Sequence, residues 1–392
     1  MKVSAPAVPA WRLIGIILYA LLAVGLGFWL GGGAALGRLD AALLLPTLPL
    51  AAAPLVLSSR FRQVGAFAAV LLPTAALIIL AWLVLGGVPM TQWPQLAVLA
   101  LASLIWLTSM RLLWRTLVRR RAGLRAAILV LLAAIWWLGA HVVLGAAYTD
   151  RWAKQSGKTI MLSGLPLRTW TGGELLEGAF VDSAAVVALR KRVSRPLVLA
   201  DTLVAGSLNT NDRLLLAHPP ALPPEALVEI DRFVRGGGRA VILADALSGW
   251  PPPHPFGDAR NPPVTSLLTP LLDYWGLRLD APAPDSASAG VAVVKNLGRR
   301  IELHSSGHFS VLPHNCRGAG RLPDQRYSMA FCRIGRGTAI VLADADMLFD
   351  PLWRPEPLWA SHLRRSDNIE WVADQLNQPQ GVVRWGLRPT WR

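Results

Sequence analysis

"GGGRAVILADAL", Gly236 to Leu247, and "GRGTAIVLADADMLFD", Gly335 to Asp350, decide the fold between them. Each writes a glycine turn, an unbroken apolar run and an abrupt Ala-Asp. An apolar run without alternation is what a strand needs when helices cover both faces of its sheet, the usual condition of parallel sheets. The Asp then falls at the carboxyl edge of the strand, where the chain leaves the sheet or the side chain caps the next turn.

Just upstream of the first phrase, "LPPEALVEIDRFVRGGGRAVILAD" begins with Pro in the first turn of a helix and keeps Ala226, Leu227, Ile230, Phe233 and Val234 on one face. The helix stops at Gly236 to Gly238, where glycine takes the left-handed cap. "KTIMLS" (Lys158 to Ser163), "RPLVLAD" (Arg195 to Asp201) and "DRLLLAHP" (Asp212 to Pro219) read as further strands, and Ser183 caps a helix running to Val193. The alternation predicts an α/β three-layer sandwich, flavodoxin-like, with a mostly parallel sheet. "SGWPPPHPFGDARNPP" (Ser248 to Pro263) is long for a connection and is expected to be a lid or an interaction surface. A helix comes next, from Thr265 to about Trp275. Gly276 to Arg333 changes to short strands, "VAVVKN", "IELHSS", "FSVLP" and "YSMAFCRI", expected as a small antiparallel β extension at the sheet edge. Asn368 to Leu376 closes the domain as a helix.

The first part of the chain is of another kind. Of 392 residues 53% are hydrophobic, too many for an ordinary soluble protein. Eleven of the 39 Lys and Arg but a single acid precede Tyr148, so the excess of +15 lies mostly there. The basic residues sit between apolar runs, where membrane topology puts them, and no aromatic-basic platform accompanies them, so nucleic acid is not an expected partner. Five runs are candidate spans: Trp11 to Leu30, Ala41 to Leu57, Val64 to Leu85, Pro94 to Met110 and Ala126 to Ala147. Most approach the roughly 20 residues that a hydrocarbon core of about 30 Å demands. The second is short and carries Pro46, Pro49 and Pro54, which would kink it or make it re-entrant. Arg60 and Arg62, and Arg111, Arg115, Arg119, Arg120, Arg121 and Arg125, mark cytoplasmic loops. The expectation is therefore an N-terminal α-helical transmembrane bundle over residues 1–148 with about five helices and a cytoplasmic N-terminus, the first run being retained rather than cleaved. It sits in a bacterial inner membrane, with a periplasmic domain over 155–378 and a tail over 379–392 beyond it. Within the bundle, Asp40 lies near an interface and His141 within a span; transport or helix packing would each account for His141.

The segment "DRLLLAHPPALPPEALVEIDRFVRGGGRAVILADAL" resembles the GldG-like family, auxiliary proteins of ABC transporters and gliding machinery whose domain is similar to intraflagellar-transport and class I glutamine amidotransferase-like domains. "GRGTAIVLADADMLFD" looks like that family's closing strand. The resemblance covers roughly Lys158 to Gln375 and implies an extracytoplasmic, membrane-anchored domain without catalysis, with ABC transporter ATPase or permease subunits as partners. A multi-span N-terminal region departs from the single anchor of the simplest members.

An amidotransferase-type enzyme needs a nucleophilic Cys on a Gly-x-Cys-x-Gly elbow, which is missing, and no Walker A sequence occurs, so no catalytic residue and no cofactor are expected. Cys316 and Cys332, with 15 residues between them, fit a disulfide in an oxidising compartment; two inert thiols, or a thiolate assisted by His314, are the other readings. Ligands of open parallel sheets bind beyond the carboxyl ends of the strands. Ser163, Asp201, His218, Asp245, Asp344 and Asp346 are placed there, with Trp170, Trp250, His254, Asp258 and Arg260 from flanking loops. Of these, His218, Asp245, Trp250, His254, Asp258, Arg260, Asp344 and Asp346 form the candidate ligand or partner surface. No tight His or Cys spacing marks a metal site. The expected function is a non-enzymatic membrane-anchored subunit, with a periplasmic hydrolase or amidotransferase-like enzyme, or a ligand-binding sensor, as the alternatives.

Overall fold

The computed structural model describes residues 10–30, 37–49, 64–87, 90, 92–117, 119–170, 180–255, 257–258, 260–285, 290–355, 360–378 and 384–391. The chain divides into two compact units, Met1–Thr149 with Glu356–Leu363 and Gly386–Arg392, and Asp150–Pro355 with Arg364–Trp385. The C-terminal segment, expected as a separate tail, is thus shared between the two units.

The first unit is helical: α1 (Ala10–Leu30), α2 (Val64–Leu85), α3 (Gln92–Leu117) and α4 (Ala122–Ala147). By length and composition α3 and α4 can cross a membrane, each having 26 residues or about 39 Å of helix. Their outer faces are apolar, with Val130 69% and Val142 73% exposed, an arrangement that water disfavours and lipid accepts. In its described part the second apolar run is no long helix: Ala41–Leu44 is a buried 3-10 turn, and residues 50–63 lie outside the described residues. Side chains hold this turn in place, Trp136 Nε1 donating to Leu45 O at 2.9 Å and Gln92 Nε2 to Leu39 O. Asp40 is buried, ion-paired to Arg38, and accepts Thr390 N at 2.5 Å. His141 has a partner that sequence could not reveal, since its Nδ1 lies 3.1 Å from His362 Nε2.

The second unit runs β1 (Arg151–Trp152), β2 (Thr159–Ser163), β3 (Arg168–Trp170), β4 (Phe180–Asp182), α5 (Ala184–Arg192), β5 (Leu197–Leu199), β6 (Arg213–Ala217), α6 (Pro224–Arg235), β7 (Arg239–Leu243), α7 (Thr269–Tyr274), β8 (Arg278–Asp280), β9 (Val291–Asn296), β10 (Arg299–His304), β11 (His308–Val311), β12 (Cys316–Arg321), β13 (Tyr327–Ile334), β14 (Gly337–Leu342), α8 (Asp350–Trp353), α9 (Asn368–Asn377) and β15 (Arg384–Trp385). Nine strands form a mixed, mostly parallel sheet in the order β5-β2-β6-β7-β14-β13-β11-β8, with β12 also on β13. Alternate strand residues feed two cores. Met161, Leu215, Val241 and Ile340 pack under α5 and α9 on one face, while Ile160, Leu214, Ile242 and Val341 pack under α6 and α7 on the other.

The antiparallel strands divide differently from the expectation. β8, β11, β12 and β13 continue the main sheet, whereas β9 and β10 form a separate hairpin whose Ala292, Val294, Ile301 and Leu303 cover the first core. The apolar sides of these two strands have a sheet face to bury against, which an edge position would not offer. β15, within the segment expected as a tail, pairs with β1.

The twin phrases of the sequence meet here. β7 and β14 are adjacent and parallel, with Leu243 beside Leu342, so the two Ala-Asp dipeptides leave the sheet side by side. Both are launched from glycine turns: Gly237 at φ 115° and Gly335 at φ 58° take the left-handed backbone that other residues adopt only under strain.

Candidate functional site

At the carboxyl edge of β7 and β14, Asp245, Asp344 and Asp346 converge, each 1% exposed or less. One oxygen from each lies within 4.8 Å of the others, a spacing that one ion can bridge. Backbone amides orient them: Asp245 Oδ2 accepts Ala345 N at 3.0 Å, Asp344 accepts His304 N at 2.6 Å and Met347 N at 2.9 Å, and Asp346 Oδ2 accepts Gly249 N at 2.5 Å. Ser248 Oγ donates to Asp346 Oδ1 at 3.1 Å. Asp344 thereby caps the short turn after β14. Asp245 Oδ1 is buried without a hydrogen-bond partner.

These groups are held above the usual carboxylate range. Burial is the first cause for all three; Asp344 and Asp346 add repulsion at Asp245, and Asp346 adds it at Asp344. At an effective dielectric of about 20, two like charges 4.8 Å apart repel by about 3 kcal/mol. The single cationic candidate among the described ion pairs is His304, whose Nδ1 stands 3.6 Å from Asp346 Oδ2.

Nearer the β5 edge of the sheet the strand ends approach one another closely. In chain order the five parallel strands β2, β5, β6, β7 and β14 are arranged 2-1-3-4-5, which puts the topological switch, the usual ligand crevice, between β2 and β6. There Ser163 Oγ donates to Ala217 O at 3.0 Å and Gly164 N to His218 O at 3.1 Å. A Cβ on Gly164 would stand 2.7 Å from His218 O, so the two backbones are in close approach here. His218 itself sits at φ 47° on a sharp strand exit, the backbone form in which a nucleophile elbow holds its reactive residue. Its ring is occupied: Nε2 lies 2.7 Å from Pro263 O and Nδ1 accepts Asp245 N at 3.4 Å. Burial lowers its pKa, against the Pro263 hydrogen bond and the charge of Asp346. Nothing nucleophilic stands at this elbow.

The proline loop is a built structure, although residues 256 and 259 lie outside the described residues. Ser248 N donates to Val264 O at 2.8 Å and closes its ends. Asn261 staples it from within, accepting His254 N at 2.9 Å and donating to the carbonyls of His254 and Pro255 at 3.0 and 2.9 Å. Arg260 holds Asp258 well below its usual range by hydrogen bonds and charge. Trp250 is no free stacking platform, since its ring meets Phe349 edge-on at 5.2 Å and packs on the first core.

Thus the structure brings Asp245, Asp344 and Asp346 together, sets His218 beside them as a post, and puts His254, Asp258 and Arg260 on the loop. Asp201 lies exposed after β5, and Trp170 ends β3, which pairs with β4 outside the main sheet. Sequence reasoning missed Ser248, Gly249 and His304. His304 carried no signal, since its strand, RRIELH, already mixes charged and apolar residues. Cys316 and Cys332 stand directly opposite each other on β12 and β13, joined by a disulfide.

No family model matches the chain, and no curated protein matches it in sequence, so the GldG-like likeness rests on the two quoted segments. Solved structures give distant likenesses. The exo-β-1,4-mannosidase Op5Man5 from Opitutaceae bacterium strain TAV5 is 12% identical with a TM-score of 0.33, the match covering 64% of this chain and 40% of that one. A catalytic mutant of Gan42B, a GH42 β-galactosidase from G. stearothermophilus, is 11% identical over 59% of this chain and 33% of its own, at 0.27. The cytoplasmic protein STM1381 from Salmonella typhimurium LT2 is 10% identical over 57% of this chain and all of its own, at 0.32. The chain thus spans well under half of either glycosidase's length.

Proposed function

We propose that this chain is a membrane-anchored auxiliary subunit, without catalysis of its own, whose α/β domain docks a protein partner. The observation that carries this reading is the loop from Ser248 to Pro263, closed at its ends, stapled by Asn261 and exposed at Pro251, Pro252 and Pro253. A loop ordered before binding loses little entropy on docking, which is what a recognition surface requires. The close backbone approach at the switch point and the fully bonded ring of His218 favour docking over chemistry at the same edge. The strand order 2-1-3-4-5 supports a flavodoxin-like three-layer sandwich.

In this reading the apolar helices contact lipid and the arginine-rich segment between α3 and α4 faces the cytoplasm. The second unit then lies outside the inner membrane, in the periplasm of a bacterium, and the GldG-like resemblance makes an ABC-type transport system the partner. Affinity purification of the tagged chain from its host in mild detergent, with mass spectrometry of what is retained, tests it. An ATPase or permease retained by wild type and lost from Asn261→Ala supports the reading. Recovery of no stable partner, repeated after cross-linking, overturns it.

A further inference from the structure

We infer that Asp245, Asp344 and Asp346 bind one hard divalent cation, with calcium as the first ion to test, at the carboxyl edge of β7 and β14. The inference stands apart from the docking reading, because it rests on the buried carboxylates and not on the loop surface.

The parallel register sets Asp245 and Asp344 side by side, and the turn after β14 returns Asp346 to them. All three offer oxygen, the donor of calcium, magnesium and manganese, and no sulfur ligand stands in the group. Their oxygens lie within 4.8 Å of one another. Oxygens on opposite sides of an ion with bonds of about 2.4 Å are separated by about 4.8 Å, so the cluster is small enough for one calcium, and for the shorter bonds of magnesium or manganese, to span.

A second observation points to a ligand. Asp245 is fully buried, its carboxylate is close enough to both others to feel their charge, and its Oδ1 has no hydrogen-bond partner. Among the described ion pairs, neither Asp245 nor Asp344 has a lysine or arginine. Elsewhere in the same unit buried carboxylates are matched: Asp150, Asp367 and Asp374 surround Arg299. The amides of Ala345, His304, Met347 and Gly249 then act as the supporting shell that fixes ligand orientation. Entry is controlled by the strap at Ser248 and Gly249, both bonded to Asp346.

The full chain in detergent, stripped with EDTA and exchanged into metal-free buffer, is titrated with calcium chloride and, in parallel, magnesium and manganese chlorides. The thermal midpoint is read together with equilibrium dialysis of radioactive calcium. Saturable binding of one calcium per chain is expected, with a midpoint raised by about 5 °C at a hundred times Kd. Asp344→Asn and Asp245→Asn should lose both, while Asp285→Asn, at an exposed position, should keep both. Wild-type dialysis needs no variant, so a misfolded mutant leaves the test intact. No saturable binding to wild type up to about 10 mM, roughly ten times the weakest Kd of extracellular calcium modules, or binding retained in folded Asp344→Asn and Asp245→Asn, overturns the inference. The first result assigns the neutralising role to protons and the second puts the ion elsewhere.

Discussion

Replacing Arg299 by Met tests how far the second unit depends on a buried charge network. The guanidinium is 1% exposed. Nε and Nη2 donate to Asp374 at 3.0 and 3.3 Å, Nη2 also meets Asp150, and Nη1 stands 3.6 Å from Asp367. Burial alone would lower the Arg299 pKa, but Asp374, Asp367 and Asp150 together outweigh it and push it up. Met restores the volume of the stem and removes the charge that Asp150, Asp367 and Asp374 share, while Arg364 stays bonded to Asp367. Breaking one buried pair by removing a partner costs about 3–5 kcal/mol, and pairs sharing one cation do not add. The expected loss is therefore about 4–6 kcal/mol, roughly a thousand-fold or more in the folding equilibrium, against a domain stability of about 5–15 kcal/mol. Arg299→Lys should recover part, since a point charge cannot serve a fork of acceptors. Asp374→Asn should destabilise wild type more than the Met variant, because in the variant the Arg299 contact it would lose is already gone. Denaturant unfolding of the full chain in detergent, with hydrogen exchange on segments 291–304 and 368–377, gives the readout. A Met variant within about 1 kcal/mol of wild type, or an Asp374→Asn change that simply adds its cost, would refute the reasoning.

Four other perturbations probe separate parts of the chain. Cys332→Ser should cost about 3 kcal/mol by the loop-entropy estimate and slow migration on non-reducing gels, and an unchanged stability would rule out a structural cross-link. His308, with Nε2 2.6 Å from Arg326 Nη1 and Asp280 opposite on β8, has its pKa lowered by burial and then by Arg326, with Asp280 and Asp324 opposing. The unfolded chain therefore binds the proton first, and stability should fall as pH drops below about 6.5 through the folded value, a slope that His308→Gln should make shallower, leaving the part that His218 contributes with the same sign. A Cβ on Gly249 would stand 2.4 Å from His304 Nδ1, so Gly249→Val should release the strap and expose residues 250–263 to protease, and unchanged protection would count against the strap. Alkaline phosphatase fused after Ser156 should be active and fused after Gly123 inactive, and the reverse pattern would invert the proposed topology.

The second unit was legible in the sequence to the extent that local period carries information. The unbroken runs before Asp245 and Asp344 are strands of the parallel part, and Ser183 caps its helix as its position implies, accepting Val186 N at 3.4 Å. What periodicity cannot say is which strands are neighbours. "VAVVKN" alternates, so one side must be covered, but edge and face positions give the same pattern; burial of Ile301 and Leu303 on the first core decided for the face. Likewise Arg299 lies in "NLGRR", a string that reads as a solvated turn, and its burial depends on acids from residue 150 and from residues 367 and 374.

The two buried charge clusters of this unit are therefore best weighed against each other. A buried ion survives when opposite charge and hydrogen bonds replace the water it lost, and Arg299 meets that condition from the chain's own residues. Asp245, Asp344 and Asp346 do not: five donors orient them, yet three acids share one histidine and one oxygen is unsatisfied. A cap for the turn after β14 is complete with Asp344 and Asp245, which accept Met347 N and Ala345 N. Asp346 adds repulsion at both that the cap does not need. The excess negative charge is thus a demand for something the chain does not supply, and the choice between a cation and protons is the one that the calcium titration makes.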